Sequence, residues 1–386
     1  MQNTIYEYQE IKEDSEHYKK LKNHIIDTKE LHSYFTLDWK DLKAKQYCGI
    51  LNFDNQDFYI LPKIANHSDE QNLNIFIYML MYAYDVNLLN ENTSLSENLK
   101  SNNILEVFVQ MFANGLLQEL KKGMYKKYIT EQDNLSVLKG KYLINENLKY
   151  NFTKNKIYCE YDEFSPNNSL NQFFLYTVKY LQKFVKDKKL LKQCELIFDE
   201  VEYKSVDINR LETINFDRLN LRFKTSFEIA LLLLKQSIPL FSQDKKSFAF
   251  LFDMNALFEK FIARMVKELD SNAKIQNQDN FGDLTLKPDI ILENQIIDTK
   301  YKKLNGLNDI KQSDKLQAFS YGINYKVDNV MLLYPKHLDN IKYDLVLGKD
   351  DKKVKLKIRT TDLDFDGNDY RKYVDEIRKR VERLNE

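Results

Sequence analysis

The segment LKPDIILENQIIDTKYKKL, at residues 286–304, contains two aspartates within an apolar stretch, and Lys300 lies two positions after the second of them. If residues 293–294 form a two-residue turn, the flanking residues pair as a β-hairpin in which Asp289 faces Asp298. Directly opposed side chains of antiparallel strands have Cβ atoms roughly 4.5–5.5 Å apart, and like charges at that distance are destabilising. The pattern therefore predicts a pair of carboxylates that requires a compensating positive charge.

Strand alternation places Lys300 on the same face as Asp298, while Thr299 points away. A divalent cation with oxygen ligands compensates two carboxylates. A neighbouring lysine orients water and stabilises the charge of a phosphoryl transition state. This arrangement predicts metal-assisted phosphodiester hydrolysis, and the alternative interpretation is a solvated Asp–Lys pair on a surface hairpin.

Two helical segments provide further polar candidates. The apolar spacing of residues 253–270 predicts an amphipathic helix with Glu259 at the flank of its buried stripe, where the carboxylate either forms a salt bridge or reaches the site. In the helix predicted over 314–325, Gln317 and Tyr321 share one face. Gln317 then holds the lysine or a phosphate oxygen, or is an ordinary boundary residue.

The elements around these residues predict a mixed α/β protein. Residues 249–386 alternate a helix, the hairpin, a second helix, a buried strand (VDNVMLLYP) that completes the sheet, and a basic C-terminal helix, which is typical of an α/β domain. Residues 165–248 are predicted to be helical. Residues 1–164 are predicted to form a small β-rich domain with a helical insertion. We therefore expect three regions, 1–164, 165–248 and 249–386.

Within residues 1–164, the first 35 residues indicate a short helix or arm followed by a linker. Two strands are expected in YCGILNFDNQDFYILPKI, around an Asp-Asn turn and ending at Pro62. Residues 71–119 have helical periodicity, and β-forming residues return between 122 and 164. We expect these later strands to join the first two.

The composition excludes several classes of protein. The chain has 58 Lys and Arg against 58 Asp and Glu, so it is not a uniformly basic nucleic-acid coat protein. A hydrophobic share of 43% and a charged share of 30% indicate a globular protein. The three cysteines are far apart, without a CxxC pair, which predicts buried thiols rather than zinc or disulfides. The acidic start is not a signal peptide, and the longest apolar run is about half a membrane span, so we expect a soluble, cytoplasmic protein with no membrane partner.

Several segments in order resemble a known family. The segments MNALFEKF, PDIILENQIIDTKYK, SDKLQAFSYG and LLYP are similar to the motifs of the PD-(D/E)XK nuclease fold as it occurs in the McrC family, the nuclease subunit of McrBC-type modification-dependent restriction systems. Weaker similarities are found in GILNFDNQDFYILPKI, KKGMYKKYITEQDNLSVLKGKYL and IYCEYDEFSPNNSLNQ. The resemblance covers about residues 45–340.

The resemblance implies roles for five residues. Asp289 and Asp298 correspond to metal ligands and Lys300 to the catalytic lysine, while Glu259 corresponds to an additional acid and metal ligand and Gln317 to a supporting polar residue. The implied metal is Mg²⁺, with Mn²⁺ as an alternative. The implied function is a DNA endonuclease that serves phage defence by restricting DNA that carries methylcytosine.

The resemblance also implies partners. The N-terminal domain would dock, through its inserted helical part, on an McrB-like AAA+ GTPase that recognises the modified DNA and whose GTPase this chain stimulates. GTP would be bound only by that partner, and the sequence has no GxxxxGK[ST] phosphate loop of its own. Double-stranded DNA is the expected substrate. Candidate contacts are Lys300, Lys302, Lys303 and the C-terminal RKYVDEIRKRVERL, whose alternative interpretation is a solvated amphipathic helix.

Two other classes of function stay open at this point. One is a non-catalytic, GTPase-stimulating adaptor with a vestigial nuclease fold, against which the intact acid and lysine set argues. The other is a stand-alone DNA repair nuclease, against which the long N-terminal half argues.

Overall fold

The computed structural model describes most of the chain, namely residues 3–11, 16–37, 42–53, 56–64, 68–85, 104–153, 155–206, 214–242, 245–336, 340–349 and 352–385. Contacts divide the chain into two compact units, one formed by Met1–Val107 with Gln236–Glu386 and the other by Phe108–Lys235. These boundaries differ from the three predicted regions 1–164, 165–248 and 249–386, which stay a prediction. None of the described helices combines the length and apolar character needed to cross a membrane.

The described helices are α1 Glu16–Asp27, α2 Asp69–Ala83, α3 Ile104–Lys121, α4 Ile144–Tyr150, α5 Ser169–Leu181, α6 Lys189–Ile197, α7 Lys224–Gln236, α8 Met254–Leu269, α9 Gln312–Tyr325 and α10 Tyr370–Glu382. The strands are β1 Thr4–Tyr6, β2 Phe35–Leu37, β3 Leu42–Ala44, β4 Tyr47–Phe53, β5 Gln56–Leu61, β6 Lys127–Leu135, β7 Lys141–Tyr142, β8 Ile157–Ser165, β9 Ser237–Ser242, β10 Lys245–Asp253, β11 Lys274–Ile275, β12 Asp279–Phe281, β13 Leu284–Leu286, β14 Ile290–Ile291, β15 Gln295–Thr299, β16 Asn329–Pro335, β17 Lys342–Lys349 and β18 Lys352–Thr361. The predicted mixed α/β class is confirmed.

A five-stranded sheet in the first unit joins the beginning of the chain to its later part. Its order is β1-β5-β4-β10-β9, with β1 parallel to β5 and the other neighbours antiparallel. The predicted β4–β5 pair is confirmed, although its turn at residues 54 and 55 lies outside the described residues. The short helix expected in the first 35 residues is α1, but the described residues around it are more than a linker, because β1 joins this sheet and Leu21 and Ile25 of α1 lie in its core.

The prediction of helix up to residue 248 is wrong beyond Gln236, where α7 ends and β9 and β10 follow. Pro239 cannot continue a helix, because its ring removes a backbone donor and clashes with the preceding turn. It lies in β9 at the edge of the sheet, where a missing donor is tolerated.

The six-stranded sheet of the first unit has the order β11-β14-β15-β16-β18-β17. Strands β15, β16 and β18 are parallel, and β14 and β17 are antiparallel to their neighbours. The strand predicted to complete the sheet, β16, is instead in its interior, because β18 of the unpredicted β17–β18 hairpin pairs with its other side. Alternation along β18 buries Val354, Leu356 and Ile358 in one core, and the lysines between them obscured this strand in the sequence.

Helices cover the six-stranded sheet. Helix α9 packs against β15, β16, β17 and β18, while α8 contacts β11 and β15 and also packs against α2 and α10. A side-chain carbon at Gly322 of α9 would overlap the Val354 side chain of β18. Glycine therefore sets how closely α9 approaches the sheet.

The second unit contains a three-stranded antiparallel sheet of order β6-β8-β7. These are the strands expected between 122 and 164, but they form a separate sheet rather than extending β4 and β5. Helices α5, α6 and α7 follow, as predicted for the region after 165, while residues 207–213 lie outside the described residues. The three cysteines of the chain are free and buried, as predicted.

Candidate active site

The hairpin formed by β14 and β15 has the predicted register. Ile290 pairs with Ile297 and Ile291 with Ile296, and the Leu292 amide donates a 2.8 Å hydrogen bond to the Gln295 carbonyl across the turn. Asp289 directly precedes β14, so the hairpin carries it back to the end of β15.

Asp298 is buried in β15 and only 2% exposed. Its Oδ2 lies 2.7 Å from Lys300 Nζ. Burial raises the pKa of Asp298 to about 6, and the negative charge of Asp289 adds to this rise while Lys300 opposes it. The negative charge of Asp289 is therefore close enough to disfavour the charge of Asp298, in line with the predicted pairing of the two residues.

Lys300 is held from two sides. Besides the ion pair with Asp298, its Nζ donates a 3.2 Å hydrogen bond to Gln317 Oε1 of α9. Burial alone lowers the pKa of Lys300, but the charge and hydrogen bond of Asp298 together with the charges of Asp289 and Asp314 outweigh burial and raise the pKa overall. The lysine is therefore a fixed cation beside the carboxylates.

Gln317 is itself oriented by a short chain of hydrogen bonds. Its Nε2 donates to the Tyr321 hydroxyl at 3.0 Å, and that hydroxyl donates to the Lys287 carbonyl at 3.2 Å. The predicted spacing of Gln317 and Tyr321 on one helix face thus connects α9 to the segment before Asp289. Of the alternatives for Gln317, contact with the lysine is the one observed.

Thr299 holds the carboxylate of Asp289. Asp289 Oδ2 accepts hydrogen bonds from the Thr299 amide at 2.7 Å and from its Oγ1 at 2.8 Å. Strand alternation predicted that Thr299 points away from Asp298 and Lys300, and no role in the site was predicted for it. A threonine between an aspartate and a lysine is too common a pattern to have revealed this contact.

Glu259 of α8 lies beside Asp289 and forms no salt bridge with another residue that the structure describes. Burial raises the pKa of Glu259, and the negative charge of Asp289 raises it further. The two carboxyl groups are within hydrogen-bonding reach of each other. The side-chain Nε2 of Gln276 donates a hydrogen bond to Glu259 Oε1. The backbone N–H of Gln276 donates a 2.8 Å hydrogen bond to the backbone carbonyl of Asp289. Gln276, which the sequence analysis did not single out, thus connects these two residues.

Tyr301, directly after Lys300, anchors this segment in the first unit. Its buried hydroxyl donates a 2.6 Å hydrogen bond to Glu7 Oε1, which also accepts the Lys63 amide at 2.9 Å. Burial raises the pKa of Glu7 to about 7. Neither Glu7 nor Tyr301 was predicted, because nothing local in the sequence connects residues so far apart.

The residues fit a hard divalent cation in part. No cluster of three or more His, Cys, Asp or Glu residues within the described ranges is arranged to hold a metal ion. However, Mg²⁺ commonly binds one or two carboxylates and completes its shell with water and substrate phosphate. Asp298 Oδ2 is buried, and apart from its ion pair with Lys300 it accepts no hydrogen bond of regular geometry from the described residues. Asp289 and Asp298 therefore suit Mg²⁺, and a metal-binding role for Glu259 stays a prediction.

A family model described as "McrBC 5-methylcytosine restriction system component" matches residues 42–335. The chain belongs to the McrBC family. This confirms the resemblance inferred from the sequence. A search of curated proteins gives no match.

Two solved structures are similar to this McrBC component. One is a refined half-complex from a tetradecameric assembly of Thermococcus gammatolerans McrB AAA+ hexamers with bound McrC, with a TM-score of 0.63, 21% identity and 99% of each chain covered. The other is the Thermococcus gammatolerans McrBC complex, with a TM-score of 0.48 and 25% identity over 68% of this chain and 86% of that one. The first likeness supports the fold over the whole chain.

Proposed function

We propose that this McrBC component is the nuclease subunit of its restriction system and hydrolyses phosphodiester bonds of double-stranded DNA. The observation that carries the proposal is the ion pair between buried Asp298 and half-buried Lys300, which is supported by the Gln317 hydrogen bond and lies next to Asp289. An acid pair beside a fixed cation is the arrangement that phosphodiester hydrolysis uses.

In this proposal each side chain has a separate task. Asp289 and Asp298 would hold Mg²⁺ or Mn²⁺, which activates water and polarises the phosphate. Thr299 fixes the orientation of the Asp289 carboxylate through two hydrogen bonds. Lys300 supplies positive charge to the phosphate oxygens as negative charge develops, and Asp298 with Gln317 limits its movement.

The proposed partner is an McrB-like AAA+ GTPase ring that binds GTP and recognises DNA carrying methylcytosine. The bound McrC in the Thermococcus gammatolerans assembly supports this proposal, as does the absence of a phosphate-loop sequence in this chain. Stimulation of the partner's GTPase by this chain belongs to the same proposal.

The docking surface we propose differs from the inserted helices suggested by the sequence. Helix α2 is buried from Asn72 to Ala83 within the first unit, and residues 86–103 lie outside the described residues. The second unit instead exposes several large apolar side chains around its three-stranded sheet and α4, including Phe152 at 96% exposure, Leu148 and Tyr128. Exposed apolar patches of this kind mark protein interaction sites.

The experiment is co-expression with the AAA+ GTPase of the same restriction system, followed by assays of DNA cleavage and GTP hydrolysis with Mg²⁺. Lys300→Ala and Asp298→Asn should abolish cleavage and leave GTPase stimulation intact, whereas Lys311→Ala, an exposed lysine before α9, should retain both. Full cleavage by the Lys300→Ala complex would reject the proposed site. If the wild-type complex shows stimulated GTP hydrolysis but no DNA cleavage, the result would favour the alternative function, a non-catalytic GTPase-stimulating adaptor.

The docking surface is tested separately. Leu148→Ser with Phe152→Ser should weaken co-purification and GTPase stimulation, whereas Leu196→Ser, an exposed leucine of α6 in the same unit, should not. Unchanged association of the double variant would reject this surface.

A further inference from the structure

A second polar cleft lies outside the candidate site. It has a volume of about 320 Å³, and among the described residues of its lining five are cationic and one is acidic. The cationic residues are Lys336, Lys342, Arg359, Arg380 and Arg383, and the acidic residue is Asp362. In a chain without net charge, this concentration of one sign is local and creates a positive potential in the cleft.

The cleft and the candidate site share one edge of the six-stranded sheet. Lys300 follows the carboxyl end of β15, Lys336 follows that of β16 and Asp362 that of β18, and these three strands are parallel. Ligands of such sheets bind outside the carboxyl ends of the strands. In the register, Thr299 pairs with Leu333 and Leu333 with Arg359, so Arg359 is two strand spacings, about 10 Å, from the end of β15.

Three of the cations build the wall of the cleft. Arg359 donates to the Tyr343 carbonyl at 3.0 Å and pairs with Asp344 at 2.8 Å. Arg380 donates to the carbonyls of Asp362 and Asp364 at 3.0 and 2.6 Å. Lys336 Nζ forms a 2.8 Å ion pair with Asp362. The acidic side chain of the described lining is therefore already paired.

The other two cations are available to a ligand. Lys342 and Arg383 are both exposed, and neither forms an ion pair within the parts of the chain that the structure describes. The lining residues that the structure describes include no aromatic side chain, so they offer positive charge without a surface on which a base stacks. Its chemistry suits phosphate groups rather than bases.

We propose that this cleft binds the phosphate backbone of the DNA beside the bond that is cut. The inference rests on the proposed nuclease function and extends it to the path of the substrate. Lys342 pairs with Arg359 on the next strand, so it is three strand spacings, about 14 Å, from the end of β15, which corresponds to about four nucleotide rises of 3.4 Å along one strand. One duplex therefore reaches both Lys300 and the cleft, with contacts that position the DNA without reading its sequence.

The test compares two double variants that remove the same charge. Lys342→Ala with Arg383→Ala removes the two exposed cations of the cleft. Lys349→Ala with Lys353→Ala removes two exposed lysines at the opposite end of β17 and β18, roughly 20 Å away along the strands. Binding of the full-length chain to a duplex of unmodified DNA is measured by fluorescence anisotropy across a salt series, with thermal unfolding as the check on folding.

The cleft variant should bind at least tenfold more weakly at low salt, and the slope of log affinity against log salt should become shallower by about 2, because two phosphate contacts are lost. The control should change affinity less than threefold. Equal losses in both variants, or retained affinity in the cleft variant, would overturn the proposal.

Cleavage by the assembled complex separates this inference from the nuclease proposal. If the wild-type complex cleaves DNA, the complex with the cleft variant should need at least tenfold more DNA for its half-maximal cleavage rate. Its GTPase stimulation should be unchanged. Loss of GTPase stimulation in the cleft variant would identify a protein-binding surface and overturn the DNA assignment. If the wild-type complex does not cleave DNA, the nuclease proposal fails. In that case, loss of duplex binding in the cleft variant but not in the control would still support the cleft as a DNA-binding site.

Discussion

The Tyr301 hydroxyl donates a 2.6 Å hydrogen bond to Glu7 Oε1, and this contact joins the N-terminal strand to the loop that follows Lys300. Glu7 directly follows β1, and its amide donates to the Leu61 carbonyl of β5 at 3.0 Å. Tyr301 is therefore fixed by the five-stranded sheet as well as by β15, which it follows by two residues. The support of the candidate site thus extends to the first residues of the chain.

The first prediction concerns Glu7 and pH. Burial raises the pKa of folded Glu7 from 4.5 to about 7, so between these values the folded protein holds a proton that the unfolded chain has lost. The stability from this group is fully present below pH 4.5 and is lost as the pH rises through 7, by roughly 3 kcal/mol. Glu7→Gln cannot titrate, so its free energy of unfolding should decline less over this range, as measured by urea denaturation from pH 4.5 to 8.

The comparison with the unmodified protein isolates this effect, because the other titrating groups are common to both proteins. Parallel pH profiles for the two proteins would contradict the assignment of the raised pKa to Glu7.

The second prediction concerns Gln317. Gln317→Ala removes the hydrogen bond that its Oε1 accepts from Lys300 while leaving the ion pair with Asp298. Hydrogen bonds to charged groups contribute about 1.5–3 kcal/mol, so we expect the cleavage rate to fall about tenfold or more with unchanged GTPase stimulation. The control is Gln312→Ala at the start of the same helix. If the Gln317→Ala complex cleaves DNA at the wild-type rate, Gln317 has no role in the candidate site.

The third prediction concerns the metal affinity. Thr299→Val deletes the hydroxyl that donates to Asp289 Oδ2 and keeps the backbone donor and the branched shape. Loss of a residue that orients a metal ligand typically costs 10–100-fold in metal affinity. We therefore expect the Mg²⁺ concentration for half-maximal cleavage to rise by at least tenfold.

Thr285→Val is the matched control for this prediction, because its hydroxyl bonds to Asn280 on the separate β12–β13 hairpin. An identical Mg²⁺ response of the Thr299→Val complex and the unmodified complex would show that Asp289 does not depend on this hydroxyl.

The fourth prediction concerns the approach of α9 to the sheet. Alanine normally stabilises a helix relative to glycine by roughly 0.5–1 kcal/mol, but at Gly322 the added carbon overlaps Val354. We expect Gly322→Ala to destabilise the protein by about 1–3 kcal/mol in urea denaturation. Gly306→Ala, where an added carbon meets nothing within 4 Å, should be close to neutral. A stabilised Gly322→Ala protein would indicate that α9 moves away without cost.

The sequence predicted the parts of the site that depend on local rules. A two-residue turn and strand alternation were sufficient to bring Asp289, Asp298 and Lys300 together, and helical spacing gave Gln317 with Tyr321. The roles of these residues in catalysis stay predictions.

The parts that sequence reasoning missed depend on contacts between distant segments. Glu7 meets Tyr301 across 294 positions, and no periodicity reports such a pair. Strand β10 pairs with β4, which brings a segment expected to be partly helical into the sheet of the N-terminal strands. The order of strands in a sheet follows from tertiary packing, so it could not be derived from the propensity of each strand.

The position of β18 also has a consequence for biosynthesis. All five candidate residues, from Glu259 to Gln317, leave the ribosome before Lys352–Thr361, the segment that flanks β16 in the finished sheet. A nascent chain thus contains all five candidate residues before the six-stranded sheet that supports them has acquired its inner strand β18. Translation of β18 is therefore the step that allows the six-stranded sheet to close, so maturation of the candidate site waits for this strand.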